Sequence, residues 1–261
     1  MRWWRRSTRS PCAQLSNMTT RAQLFASRVL RVPGTFRPSP SLFFYPGLTS
    51  RPWWRREDIP GLAALEAATP AITKEYLALR DSVTGELPPS DYETESTDHG
   101  DGLHRGGSEW HWASLIDRGR RRPDMWERCP QTAAALEAMP GLCEGAMPFA
   151  FAFFSTLRGD CRIAAHTAPA NLRVRVHLPL LVPEPHSCGL RVGEESRTWT
   201  PGEALVFDDA FEHEVWNDGT QERVVLLLDL WHPDLQTDEI SAIQSMFSTV
   251  EEMQRARKGA G

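Results

Sequence analysis

The sequence predicts a mainly β protein with flanking helices, and three observations carry that prediction. Between about residues 147 and 235, short apolar runs are separated by Pro, Gly and Asp turns, the pattern of a sandwich or closed barrel. Inside that region two segments, 171–179 and 222–231, alternate strictly, which suits strands with two unlike faces. Ahead of it, Leu62 and Leu65, then Ile72, Tyr76 and Leu79, recur at helical spacing, with Pro70 dividing two helices.

The remaining elements follow in order. Residues 1–36 are Arg-rich, contain Ser and Thr, and lack acids, so the segment reads as a basic tail or an organelle transit peptide. The expected compartment is intracellular, either an organelle reached through that segment or the cytoplasm. Residues 37–261 read as the folded domain. Leu42, Phe43, Phe44 and Tyr45 predict a short strand stopped by Pro46-Gly47, and Glu57-Asp58 an acidic helix start. Residues 81–107 have no period and predict a long loop, in which His99 and His104 read as surface histidines. Trp110, Trp112 and Leu115 resume order. A helix is expected over 130–139, a strand through Phe149, Phe151 and Phe153, and a closing helix over about 238–257. That last helix has acids in its first turn and bases in its last, as the helix dipole favours.

Composition excludes several partners. All 34 acidic residues lie from Glu57 onward, whereas eleven of the 29 basic ones precede it. The body is therefore acidic, which argues against nucleic acid or an anionic membrane surface. No apolar run approaches the roughly 18–20 residues that span a bilayer. Five scattered cysteines without a CxxC pair fit thiols in a reducing compartment better than a disulfide framework.

The chemistry concentrates between Cys161 and Pro233. On strand 171–179, Leu172, Val174, Val176 and Leu178 share one face, and Asn171, Arg173, Arg175 and His177 the other. Facing water, that second row would be unremarkable. Facing inward, it needs an anion or another partner, because a buried unpaired guanidinium is too costly to keep. Asp218-Gly219 predicts a tight hairpin between 211–217 and 222–231. Residues 213 and 223 would then pair directly, with Cβ atoms about 4.5–5.5 Å apart. His213, Val215 and Asn217 share a face there, as do Arg223, Val225, Leu227 and Asp229. Two imidazoles on rigid strands, His166 and His213, can seat a divalent ion.

Four segments make the pattern specific: 166–171 (HTAPAN), 172–178 (LRVRVHL), 207–216 (FDDAFEHEVW) and 229–233 (DLWHP). In this order they resemble the aspartyl/asparaginyl β-hydroxylase family of Fe(II)- and 2-oxoglutarate-dependent oxygenases, over about residues 147–235 and more weakly back to about residue 40. The resemblance implies a double-stranded β-helix, the jelly roll of cupin-like proteins. It implies Fe(II) on His166 and His213, with 2-oxoglutarate and O2 as cosubstrates. Arg175 and His177 would engage the metal-proximal end of 2-oxoglutarate, and Ser155 and Arg223 its distal carboxylate. The expected reaction hydroxylates an aspartyl or asparaginyl side chain of a peptide or small molecule, releasing succinate and CO2. Where most such oxygenases place a third, carboxylate ligand this chain has Ala168, and the family usually Gly. Water could take that position, oriented by Asp209, although Asp208 and Asp209 also suit a plain turn. A halide would fit there too, so oxidative halogenation is one alternative and a non-catalytic anion-binding jelly roll another. Arg173, unassigned to cosubstrate, is the expected receiver of a substrate carboxylate.

Overall fold

The computed structural model describes residues 35–81, 104–105 and 110–258. The basic extension up to residue 34, with the targeting reading, lies outside the described residues, as does most of the 81–107 loop with His99.

Strand alternation sorts the chain into two antiparallel sheets. The larger contains β1 (Trp53–Trp54), β3 (Trp110–Asp117), β4 (Arg120–Arg121), β5 (Ala152–Leu157), β7 (Arg173–Leu181), β10 (Leu205–Phe207) and β12 (Arg223–Trp231). The smaller contains β2 (His104–Arg105), β6 (Cys161–His166), β8 (Cys188–Val192), β9 (Glu195–Arg197) and β11 (His213–Asn217). Their orders are β1-β10-β7-β12-β5-β3-β4 and β2-β6-β11-β8-β9. From β5 to β12 the chain changes sheet at every step but one, the β8–β9 pair. That winding is a double-stranded β-helix, the fold expected from the sequence.

The two faces of the larger sheet do different work. Ala152, Phe154, Val174, Val176, Leu178, Val224, Leu226 and Leu228 pack outward, with Leu65, Ile72, Tyr76 and Leu136 from helices α1 (Leu62–Ala67), α2 (Thr69–Asp81) and α4 (Pro130–Glu137). Helix α3 (Pro123–Arg128) adds Met125 to the same layer. Glu75 on α2 accepts from the backbone N–H of Gln131 and Thr132 and so caps α4. A carboxylate suits that end because its first amides have no partner within the helix. The inward face packs Phe153, Leu157, Val225 and Leu227 against Ile163, Leu190, Val192 and Val215 of the smaller sheet. Helix α5 (Thr237–Lys258) closes one end through Ile243 and Phe247. Among the described residues no helix is long and apolar enough to cross a membrane. Cys129, Cys143, Cys161 and Cys188 are buried and form no disulfide.

Several elements differ from their sequence expectation. The predicted 213–223 hairpin does not form. β11 pairs with β6 and β8, whereas β12 pairs with β5 and β7. Asp218-Gly219 turns the chain from one sheet to the other, with Ser187 O and Asn217 Oδ1 accepting from its two amides. The Glu184 carboxylate accepts from Thr220 N and Gln221 N, and Asn217 Nδ2 donates to the carbonyls of Leu157, Arg158 and Gln221. The corner is tight: a Cβ on Gly159 would lie 2.5 Å from Gly219 O. Residues 42–45 give one bridge, Phe43 to Ala170, because the Asn171 side chain takes both the N–H and the C=O of Tyr45. The Phe-rich strand begins only at Ala152, since Phe151 N donates to the Asp229 carboxylate. Glu57-Asp58 falls in a single 3-10 turn, ended by Pro60 and by Gly61 at φ 83.

Candidate active site

The two histidines are brought together by strand pairing. His166 ends β6, His213 begins β11, and the two are cross-strand partners. A bulge follows at once between His213 and Val215, which re-aims the side chains at the strand ends. The ring centroids are 4.1 Å apart and the rings tilted by 52°. Each Nδ1 meets the carbonyl oxygen two residues earlier: Ala164 O at 2.8 Å for His166, Phe211 O at 2.9 Å for His213. A carbonyl only accepts, so each Nδ1 carries the proton and each lone pair sits on Nε2. That tautomer is the one a metal-binding imidazole needs. Burial, then the neighbouring His166, holds His213 well below the usual imidazole range.

Arg173, Arg175 and His177 do share the inward row of β7. The anion that the two arginines face is the protein's own. Asp209 and Asp229 are both fully buried between them. Arg173 Nη2 donates to Asp209 Oδ2 at 2.7 Å, and its Nη1 lies 3.0 Å from Asp229 Oδ2. Arg175 Nε donates to Asp229 Oδ1 at 2.9 Å and its Nη2 to Oδ2 at 3.2 Å, while Nη1 lies 3.3 Å from Asp209. Burial alone would raise Asp209, but Arg173 and then Arg175 hold it well below the usual carboxylate range. Arg173 is thereby withdrawn from its expected role as receiver of a substrate carboxylate. It is 4% exposed and both its sides are engaged. Alternation along one strand shows which side chains share a face, but not the acids that neighbouring segments bring against them.

Arg223 is different. It is 1% exposed, and among the described residues no carboxylate pairs with it. Its Nη1 lies 3.4 Å from Ser155 O, its Nε has no partner, and the guanidinium sits 4.7 Å over the Trp199 ring. Burial pulls it down to about 10. Ser155 Oγ accepts from Trp110 Nε1 at 2.8 Å, which turns its own proton elsewhere. His177 Nδ1 is likewise buried without a partner. Burial, then Arg223 and Arg175, keeps that ring neutral.

Ala168 is buried and presents a methyl where a third ligand would stand, with its N–H on Asp209 O at 2.8 Å. Among the described residues no three His, Cys, Asp or Glu side chains converge. The imidazole pair is what could hold a metal here. Asp208, beside it, accepts from Ala210 N and is pushed by burial up to about 8. Between its ordinary 3.8 and about 8, the folded chain keeps a proton that the unfolded chain releases. Stability therefore falls as pH rises through that window. His177 and His213 act oppositely, weakening the fold below their ordinary 6.5, and contribute nothing above it. Urea midpoints should thus fall from pH 6.5 to 8 in the wild type and stay level in Asp208→Asn. An equal fall in both would contradict the assignment.

Asp229 and Trp199 were not assigned roles from sequence. Asp229 could have been found, since it lies on the same inward row as Arg223, opposite two arginines. Trp199 sits outside the named strands, where no period points to it.

A jelly roll that buries an imidazole pair and, among the described residues, a guanidinium without a carboxylate partner is a cupin-like protein. Residues 66–233 match the family model described as Aspartyl/Asparaginyl beta-hydroxylase. The human aspartyl/asparaginyl beta-hydroxylase is 32% identical over 201 residues, covering 75% of this chain and 24% of that protein. A Xenopus tropicalis aspartate beta-hydroxylase domain-containing protein 2 is 32% identical over 219 residues, covering 81% of this chain and 56% of that protein. Among solved structures, a Pseudomonas putida prolyl-4-hydroxylase is 15% identical with a TM-score of 0.38, covering 66% of this chain and 98% of that one. The chain belongs to the aspartyl/asparaginyl β-hydroxylase family. It spans only between a quarter and just over half of these curated relatives.

Proposed function

We propose that this chain is an Fe(II)- and 2-oxoglutarate-dependent hydroxylase acting on an aspartyl or asparaginyl side chain of a peptide or small molecule. The observation that carries the reading is Arg223, a buried cation with no counter-ion among the described residues, in the same interior as the imidazole pair. Leaving such a charge unpaired costs several kcal/mol, so the site is built to receive an anion. The same chain neutralises Arg173 and Arg175 internally, which makes the omission at Arg223 selective.

In this reading the Nε2 lone pairs of His166 and His213 hold the iron. Arg223 and the Ser155 hydroxyl hold the far carboxylate of 2-oxoglutarate, and a guanidinium suits a carboxylate better than an ammonium does. His177, whose Nδ1 has no partner among the described residues, meets its other end; Arg175, expected to share that task, is instead held by Asp229 and Asp209. When bound, iron with the oxo acid and O2 supplies the oxidising power for C–H hydroxylation, with succinate and CO2 as co-products. The protein supplies the rest. Burial of His177, His213 and Arg223 to 5% exposure or less excludes bulk water. Asp209, ionised by its arginine neighbours, orients water at the position Ala168 leaves open.

The test is succinate release from 2-oxoglutarate across a panel of Asp and Asn peptides and free amino acids. Succinate in step with a product one oxygen heavier, absent in His213→Ala, supports the reading. Binding of 2-oxoglutarate without turnover on any member would favour the non-catalytic anion binder.

A further inference from the structure

Trp199 lies against two of the groups that the diacid would meet, Arg223 and His177. Its indole is fully buried beneath the Arg223 guanidinium, 4.7 Å from ring centroid to Cζ. The same ring lies nearly parallel to His177, at 6.0 Å and 26°. Among the described residues Arg223 has no carboxylate to fix its plane and only a long contact to Ser155 O. The aromatic face is thus the main group holding that cation in orientation, an arrangement of real strength once water is excluded. We infer that Trp199 is a positioning residue: its ring fixes the Arg223 guanidinium to receive the far carboxylate of a dicarboxylic acid. The inference rests on the proposed use of 2-oxoglutarate and adds the residue that sets the pocket's preference for a second carboxylate.

The discriminating probe is a 2-oxo acid lacking that carboxylate. Dissociation constants for 2-oxoglutarate and 2-oxovalerate are measured by calorimetry on the full chain with Mn(II), for wild type, Trp199→Leu and Trp199→Phe, with thermal melts as a folding check. In Trp199→Leu, 2-oxoglutarate affinity should fall about tenfold while 2-oxovalerate affinity is unchanged. In Trp199→Phe, which keeps a weaker aromatic face, the diacid-specific loss should be about threefold, and this variant carries the test should the leucine one not fold. Equal losses for both acids, or none for either, would overturn the inference. Failure of the wild type to bind 2-oxoglutarate would instead overturn the functional reading beneath it.

Discussion

His213→Ala should abolish metal binding. In the wild type, Nδ1–H donation to Phe211 O fixes the ring and leaves Nε2 as a ligand across from His166. In the proposed site Ala168 contributes no donor, and each imidazole would be half of the protein's ligand set. Disturbing groups behind a ligand costs about 10–100-fold in metal affinity, so deleting one of two ligands should exceed 100-fold. Mn(II) titration followed by the signal of the free ion measures it. His166→Ala should match His213→Ala. Retention of wild-type affinity in either variant would show that the metal, if bound, sits elsewhere.

Asp229→Asn should produce the largest loss of stability. Asp229 Oδ2 alone faces Arg173 Nη1, Arg175 Nη2 and the Phe151 N–H, and the four-charge cluster is neutral only with both acids. Removing one charge leaves two buried guanidinium groups on a single carboxylate. Such breakage costs about 3–5 kcal/mol, read as urea unfolding at neutral pH. Adding Arg173→Met restores neutrality and should recover more than half of the loss. A loss below about 1 kcal/mol, the scale of an exposed pair, would mean that the cluster is far better solvated than its geometry indicates.

Much of this was legible from period alone. The alternation on 171–179 and 222–231 placed Arg175, His177 and Arg223 on inward rows, and the structure keeps them there. Helical spacing found the layer around Leu65, Ile72 and Tyr76. What period does not encode is which strand a turn delivers its successor to. Asp218-Gly219 carries a hairpin signal, yet Ser187 O and Asn217 Oδ1 accept from its amides and β12 continues in the opposite sheet. His213 and Arg223 therefore reach the interior from two sheets rather than from neighbouring positions in one. Charge pairing was illegible for the same reason. The acids that neutralise Arg173 lie 36 and 56 residues away, on segments whose proximity only the fold establishes.

In the proposed site one interior holds a metal and a dicarboxylic acid together, and the direct measurement is their mutual dependence. The dissociation constant of 2-oxoglutarate, determined anaerobically with and without Mn(II), should tighten about tenfold or more with the metal, and by linkage the metal should tighten equally with the acid. His213→Ala should remove that coupling and leave the weaker, Arg223-dependent binding of the acid in place. Identical constants with and without metal in the wild type would contradict a shared site.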